Sequence, residues 1–225
     1  EATVLGPELK ISENTLIAIT GGDLLPTING VSVENNKPIF IKSESILSFK
    51  GLAKGCRAYI AFAGGFLIPK VLESKSTYIR GKIGVVNGRV LIKGDIIKIG
   101  KKTNLSEKII NSLLKYKEKN GFIEAMWFVK NPFNYITKNQ VIRVFEDMQY
   151  NLADEESLNN FFNSSYTVTS KSDRMGYRLE GSKIKFKEKI EMISGEVSLG
   201  TIQVPPDGNP IILLADRHKI IILIY

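Results

Sequence analysis

Glycine and asparagine cut the first hundred residues into apolar runs too short for helices, and this punctuation limits the fold more than any other feature. Thr15 to Thr20 is mostly apolar and ends at Gly21-Gly22-Asp23, a turn signal. Thr27-Ile28-Asn29-Gly30-Val31 carries Asn-Gly, the strongest short hairpin signal. Pro38 to Lys42 and Ile46 to Phe49 read as further short strands, with Gly51 to Gly55 as a turn. Arg57 to Ala63 is apolar at nearly every position after Arg57, which predicts a central strand covered on both faces. Val85 to Ile99 reads as strand, turn, strand, broken at Asn87-Gly88 and Gly94-Asp95. Many short strands with close turns predict a barrel or sandwich.

Ser106 to Asn120 interrupts that pattern. Ser106 is the expected N-cap, Ile109, Ile110, Leu113, Leu114 and Tyr116 form a helical stripe, and Asn120-Gly121 stops it. It reads as a linker helix between two β units, with a surface helix inside one domain as the alternative. The second half offers Val141 to Phe145 as a strand. Asp154 caps a short helix to Phe162 that buries Leu158, Phe161 and Phe162. Lys183 to Lys189 alternates lysine with apolar residues, as a guarded edge strand does. Thr201 to Val204, a Pro205-Pro206-Asp207-Gly208 turn and Pro210 to Ala215 form a strand, turn, strand unit.

Composition removes several function classes. No apolar run reaches the ~20 residues of a membrane span, and no signal-peptide pattern opens the chain. The single cysteine, Cys56, reads as a packing residue without an internal disulfide, so the cytoplasm is the expected compartment. One histidine, His218, and no cysteine cluster leave no common metal site, and no metal is expected. The formal charge of +8 comes from scattered lysines with no RNP motif, zinc-finger spacing or recognition helix. Neither nucleic acid nor membrane is an expected partner, whereas a small anionic substrate suits the charge.

One stretch concentrates the polar chemistry: Ser170-Lys171-Ser172-Asp173-Arg174-Met175-Gly176-Tyr177-Arg178-Leu179-Glu180-Gly181. As a strand it places Met175, Tyr177 and Leu179 on one face and Arg174, Arg178 and Glu180 on the other. Gly176 would leave a gap in the charged row for a ligand or another backbone. The two guanidinium groups and their acidic neighbours are expected to project together into a recess. The competing reading is a solvated face with an ordinary Arg178–Glu180 pair.

This stretch resembles the signature of the carboxyltransferase-domain family. That family includes the C subunit of bacterial ATP-dependent 5-oxoprolinase (KipA), the second subunit of allophanate hydrolase and the matching part of urea carboxylase. Gly55 to Gly65 with Val71 to Tyr78, and Gly200 to Arg217, are similar to two further family blocks. The resemblance implies a mainly β, cyclophilin-like β-barrel architecture in two tandem subdomains with one or two short helices. The expected division is 1–105, 106–139 (helical linker) and 140–225. It also implies a subunit that opens the 5-oxoproline lactam to glutamate. The expected partners are a sister subunit of the B (KipI-like) type and an A-type subunit. The alternatives are an allophanate hydrolase or urea carboxylase component, and a non-catalytic regulator of a kinase-inhibiting sister subunit.

The family's glycine-rich upstream segment is absent. Lys82-Ile83-Gly84-Val85-Val86 replaces a more glycine-rich stretch, and His218 to Tyr225 replaces a Thr-rich, Gly-Gly-Tyr-Pro segment. An incomplete copy, truncated at both ends, is therefore expected.

Lactam opening driven by ATP needs cations for phosphate and carboxylate, and a proton acceptor. Arg174 and Arg178 are candidate oxyanion clamps, with Asp173 and Glu180 as catalytic carboxylates. Candidate substrate-binding residues are Gly64, Gly65, Lys75, Ser76, Thr77, Tyr177, Gln203, Asp207, Asp216 and Arg217. Glu73-Ser74-Lys75-Ser76-Thr77 lacks the glycines of a Walker A loop, so ATP is expected in an unconventional site or one shared with a partner. Biotin belongs only to the urea carboxylase alternative.

Overall fold

The computed structural model describes residues 1–71, 73–130, 141–188, 195–217 and 220–221. The chain divides into two compact units, Glu1–Lys138 and Asn139–Tyr225.

The first unit contains β1 (Ala2–Thr3), β2 (Leu9–Lys10), β3 (Thr15–Asp23), β4 (Pro26–Ile28), β5 (Val31–Ser32), β6 (Pro38–Ile41), β7 (Ile46–Phe49), β8 (Lys54–Phe62), α1 (Asn104–Leu113) and β9 (Phe122–Glu124). Two antiparallel sheets form, ordered β1-β8-β3-β6-β9 and β2-β7-β4-β5. Period-two alternation explains the layers. Ile17, Ile19, Ile39, Ile41 and Phe122 pack with Ile28 and Leu47 of the second sheet into one buried cluster. Leu16, Phe40 and Ile123 point the other way and pack with Ile110 and Leu113 of α1. β3, β6 and β9 are thus covered on both faces.

The Asn-Gly turn joins β4 to β5 as expected, with φ of 48° at Asn29 and 81° at Gly30. Other expectations need correction. β3 does not stop at Gly21 but continues to Asp23 through a register shift opposite β8. β8 sits between β1 and β3, yet it is only partly buried, and Cys56 in it is exposed. The interrupting helix begins at Asn104 with Thr103 as N-cap, whose Oγ accepts from the Ser106 N–H at 3.2 Å. That helix packs into the first unit rather than standing free as a connector.

Residues 85–99 form no strands. Val90, Leu91, Ile92 and Ile96 are exposed, and Arg89 organises the loop by a forked pair with Asp95 at 2.7 and 2.8 Å. The Ile92 N–H also donates to Asp95 at 2.8 Å. The Arg89 hydrogen bond chiefly, then the Ile92 N–H, lower the Asp95 carboxyl from 3.8 to about 2. A depressed carboxyl contributes stability above its ordinary value and loses it as pH falls through the folded value. The Ile92 amide resonance should therefore titrate with a midpoint near pH 2, and Asp95→Asn should abolish the titration. A midpoint near the ordinary carboxylate value of ~3.9 would contradict the pairing.

The second unit contains α2 (Glu155–Asn163), β10 (Thr167–Val168), β11 (Gly176–Glu180), β12 (Gly195–Glu196), β13 (Ile202–Gln203), β14 (Ile211–Leu213) and β15 (Ile220–Ile221). β10-β11-β14-β13 form an antiparallel sheet, and β12 pairs with β15. Asp154 caps α2 as expected, accepting from the Ser157 N–H at 2.9 Å. Asp154→Ala should cost about 1 kcal/mol in urea unfolding, and no loss would deny the cap its role. Phe162 remains 54% exposed instead of buried. Residues 141–145 are exposed and form no strand, and residues 183–188 form no strand either, Ala153–Phe186 being an isolated bridge. Lys189 and most of the divergent tail, His218 included, lie outside the described residues. Among the described residues no helix is long and apolar enough to cross a membrane. Among them no group of three or more potential metal-ligating side chains occurs.

Candidate functional site

β11 is the strand that carries the charged stretch, and its register fixes which side chains share a face. Arg178 pairs with Ile211, and Ile211 pairs with Gln203. Arg178, Ile211 and Gln203 therefore form one row on one face, about 10 Å from end to end across three strands. Tyr177 pairs with Ile212 on the opposite face. The expected alternation holds within β11, with Arg178 and Glu180 exposed and Tyr177 and Leu179 half-buried, but Arg174 and Met175 lie in a bend before the strand. The burial has a different centre, however. Ile211 and Leu213, in register with Arg178 and Gly176, are the buried residues of β14. Gly176 leaves no gap for a ligand, because a Cβ there would lie 2.8 Å from the Ile211 side chain. Gly181 serves packing in the same way, with the Tyr166 ring 2.7 Å from where its Cβ would stand.

The two arginines do not project together. Arg174 lies in the bend before β11 and Arg178 within the strand, and each faces a different end of β14. Arg174 grips Asp216, Nε to Oδ2 at 2.9 Å and Nη2 to Oδ1 at 3.2 Å, while the Asp216 N–H donates to the Arg174 carbonyl at 3.1 Å. This forked brace ties the bend before β11 to the residues after β14 and leaves Arg174 committed. Asp216 thus pairs with Arg174, not with its neighbour Arg217. Arg217 donates instead to the carbonyls of Val197 at 3.2 Å and Leu214 at 3.5 Å, holding two loops. Asp173 turns the chain into β11 by accepting from the Met175 N–H at 2.9 Å.

Arg178 is held by its backbone and presents its head outward. Its N–H donates to Ser172 Oγ at 2.9 Å, and its carbonyl accepts from the Thr169 N–H at 2.9 Å. Among the described residues no hydrogen bond or ion pair engages its guanidinium. Asp207 heads the turn before β14. Its two oxygens accept from the Asn209 N–H at 3.0 Å and the Asn209 side-chain amide at 3.1 Å. These bonds first, and then the charges of Lys183 and Arg178, hold its carboxyl below the ordinary value. A carboxylate so stabilised is a weak base, better suited to orienting a group than to taking a proton. Glu180 closes β11 opposite Thr167.

The remaining candidates belong to the first unit. A Cβ on Gly64, whose φ is 93°, would collide with the Gly100 carbonyl, and Gly100 N–H donates to Gly65 O at 2.8 Å. Gly65 N–H donates to Phe62 O at 2.9 Å. The pair is a strand-ending turn in which Gly64 is pressed against the Gly100 backbone and the Gly65 amide is spent on Phe62. Lys75 Nζ donates to the Phe66 carbonyl at 3.0 Å and Ser76 N–H to Ser74 Oγ at 3.0 Å, with Thr77 half-buried beside Gly84. The Lys75 head and the Ser76 N–H are thus taken up by the chain's own groups.

The family model for the carboxyltransferase domain, subdomains A and B, matches residues 1–220. The chain belongs to the carboxyltransferase-domain family. It is 30% identical over 190 residues to the 5-oxoprolinase C subunit of Haemophilus influenzae, covering 82% of this chain and 54% of that protein. It is 32% identical over 198 residues to urea amidolyase of Saccharomyces cerevisiae, covering 83% of this chain and 10% of that protein. The fold is similar to that of Kluyveromyces lactis urea amidolyase, with a TM-score of 0.67 and 25% identity over 97% of this chain and 13% of that one. The chain thus spans about half of one curated relative and a tenth of the other.

In this carboxyltransferase-domain chain the sequence reading missed Ser172, Asn209 and Lys183 as parts of the site. Ser172 and Asn209 sit two residues beyond Ser170 and Asp207, in turns whose hydroxyl and amide side chains were the available signal. A cleft of about 360 Å³ lies elsewhere in the second unit, lined by Tyr150, Glu155, Leu158, Phe162 and Lys187 among others. None of the expected site residues lines it.

Proposed function

We propose that this chain forms part of the C subunit of an ATP-dependent 5-oxoprolinase. With a B-type sister subunit and an A-type subunit it would open the 5-oxoproline lactam to glutamate. The observation that carries the reading is the row Arg178–Ile211–Gln203: a cation without a partner among the described residues, an apolar floor and an amide on one face. 5-Oxoproline offers a carboxylate for a guanidinium, a hydrocarbon ring for the floor and a lactam for an amide. In the reaction the lactam C–N bond breaks, water oxygen forms the new C–O bond, and the nitrogen leaves as an amine. ATP would supply the driving force. Because the Lys75 head and the Ser76 N–H are engaged with the chain's own groups, the nucleotide site is assigned to a partner subunit or to groups shared with one.

Reconstitution tests this. The protein mixed with its A- and B-type partners, ATP and 5-oxoproline should release glutamate and ADP. Its identity to urea amidolyase favours a second reading, a component acting on urea or allophanate. Turnover of those compounds, or dependence on biotin, with no glutamate from 5-oxoproline would decide for that alternative.

A further inference from the structure

We infer that Lys183 and Arg178 together form an oxyanion-binding site beside the turn that precedes β14, with Asp207 as a built-in competitor for the two cations. The ligand class is a small carboxylate or phosphoryl oxyanion. That it is the carboxylate of 5-oxoproline rests on the reading above; the site itself does not.

Three segments bring the groups together. The Asp207–Gly208 turn packs directly on Lys183-Ile184: the Ile184 N–H donates to the Gly208 carbonyl at 3.0 Å. Gly208 is buried, and a Cβ on it would lie 2.8 Å from the Ile184 carbonyl and 3.1 Å from the Lys183 Cβ. Only a glycine lets the two backbones approach this closely, so Lys183 is rooted against the turn. Arg178 is rooted on β11 by Ser172 and Thr169. Both cations act on Asp207, which otherwise spends its oxygens on Asn209.

The charges here do not balance. Two cations stand by one carboxylate, and among the described residues neither cationic head makes a hydrogen bond or an ion pair. The Glu180 side chain, two positions along from Arg178 on the same face, makes neither among the described residues. The two cations that act on Asp207 carry two positive charges against its one negative charge. Both exposed heads can donate to an incoming oxyanion, and buried Ile211 stands in register beside Arg178 on the same face. Lys183 was read from sequence as a guard on an edge strand, but residues 183–188 form no such strand.

The test titrates the full chain with inorganic phosphate and, separately, with 5-oxoproline, following binding by calorimetry or amide resonances. Lys183→Met should weaken binding about tenfold or more, and Lys183→Arg should restore most of it. Asp207→Asn, which keeps an acceptor for the Asn209 N–H, should tighten binding several-fold by removing the competing charge. Binding of 5-oxoproline alone would identify a carboxylate site and binding of phosphate alone a phosphoryl site; each upholds the inference. No binding of either probe, or equal affinity in the wild type and Lys183→Met, overturns it. Probe binding that Lys183→Met abolishes upholds the site even if the reconstituted complex makes no glutamate, which would count against the proposed function alone. Glutamate formation by a chain that binds neither probe would count against the site alone.

Discussion

Replacing Phe122 by alanine is expected to destabilise the protein by about 3–5 kcal/mol. Phe122 is fully buried in the cluster between the two sheets of the first unit, where its neighbours are isoleucines, leucines, a valine and alanines. Those side chains cannot swing in to fill the space of a lost ring, so a cavity term adds to the lost transfer energy. β9 also holds the edge of the five-stranded sheet through its pairing with β6. The single tryptophan, Trp127, lies three residues beyond β9 and reports on this unit. Urea unfolding followed by its fluorescence should show a lower midpoint with little change in slope. A loss below about 1 kcal/mol would mean that the ring is not the keystone described.

The second large effect is on turnover. Arg178→Ala should lower kcat/KM of the reconstituted complex about a hundredfold or more, with Arg178→Lys recovering part of it. The fold should survive, because Ser172 and Thr169 hold the backbone of residue 178 and not its head group. Unchanged circular dichroism and retained sister-subunit binding would separate lost chemistry from lost structure. Arg174→Ala should behave differently. It removes the brace to Asp216, a half-exposed pair worth about 0–1 kcal/mol. Turnover within threefold of wild type for Arg178→Ala would return the charged face to the status of a solvated surface.

Local rules sufficed where one stretch decides its own conformation. Asn29-Gly30 makes the expected turn, Asp154 caps its helix, and Tyr177 and Arg178 take opposite faces. They failed where a distant segment decides. Val90, Leu91 and Ile92 have the composition of a strand, but the Arg89–Asp95 fork closes them into a loop. Gly64 resembles a ligand-facing glycine, and its need for one comes from Gly100, far along the chain. The two arginines looked equivalent within their motif. Their difference is set by Asp216 and Asp207 at opposite ends of β14, and no spacing rule reports that.

The central claim is that the substrate oxyanion meets Arg178 on the face it shares with Gln203. A crystal structure of the reconstituted complex with 5-oxoproline bound tests it most directly. The account predicts ligand density against the Arg178 guanidinium and over Ile211, with the carboxylate turned toward the cation. Well-defined density for 5-oxoproline elsewhere, with the Arg178 head still in open solvent, would contradict it.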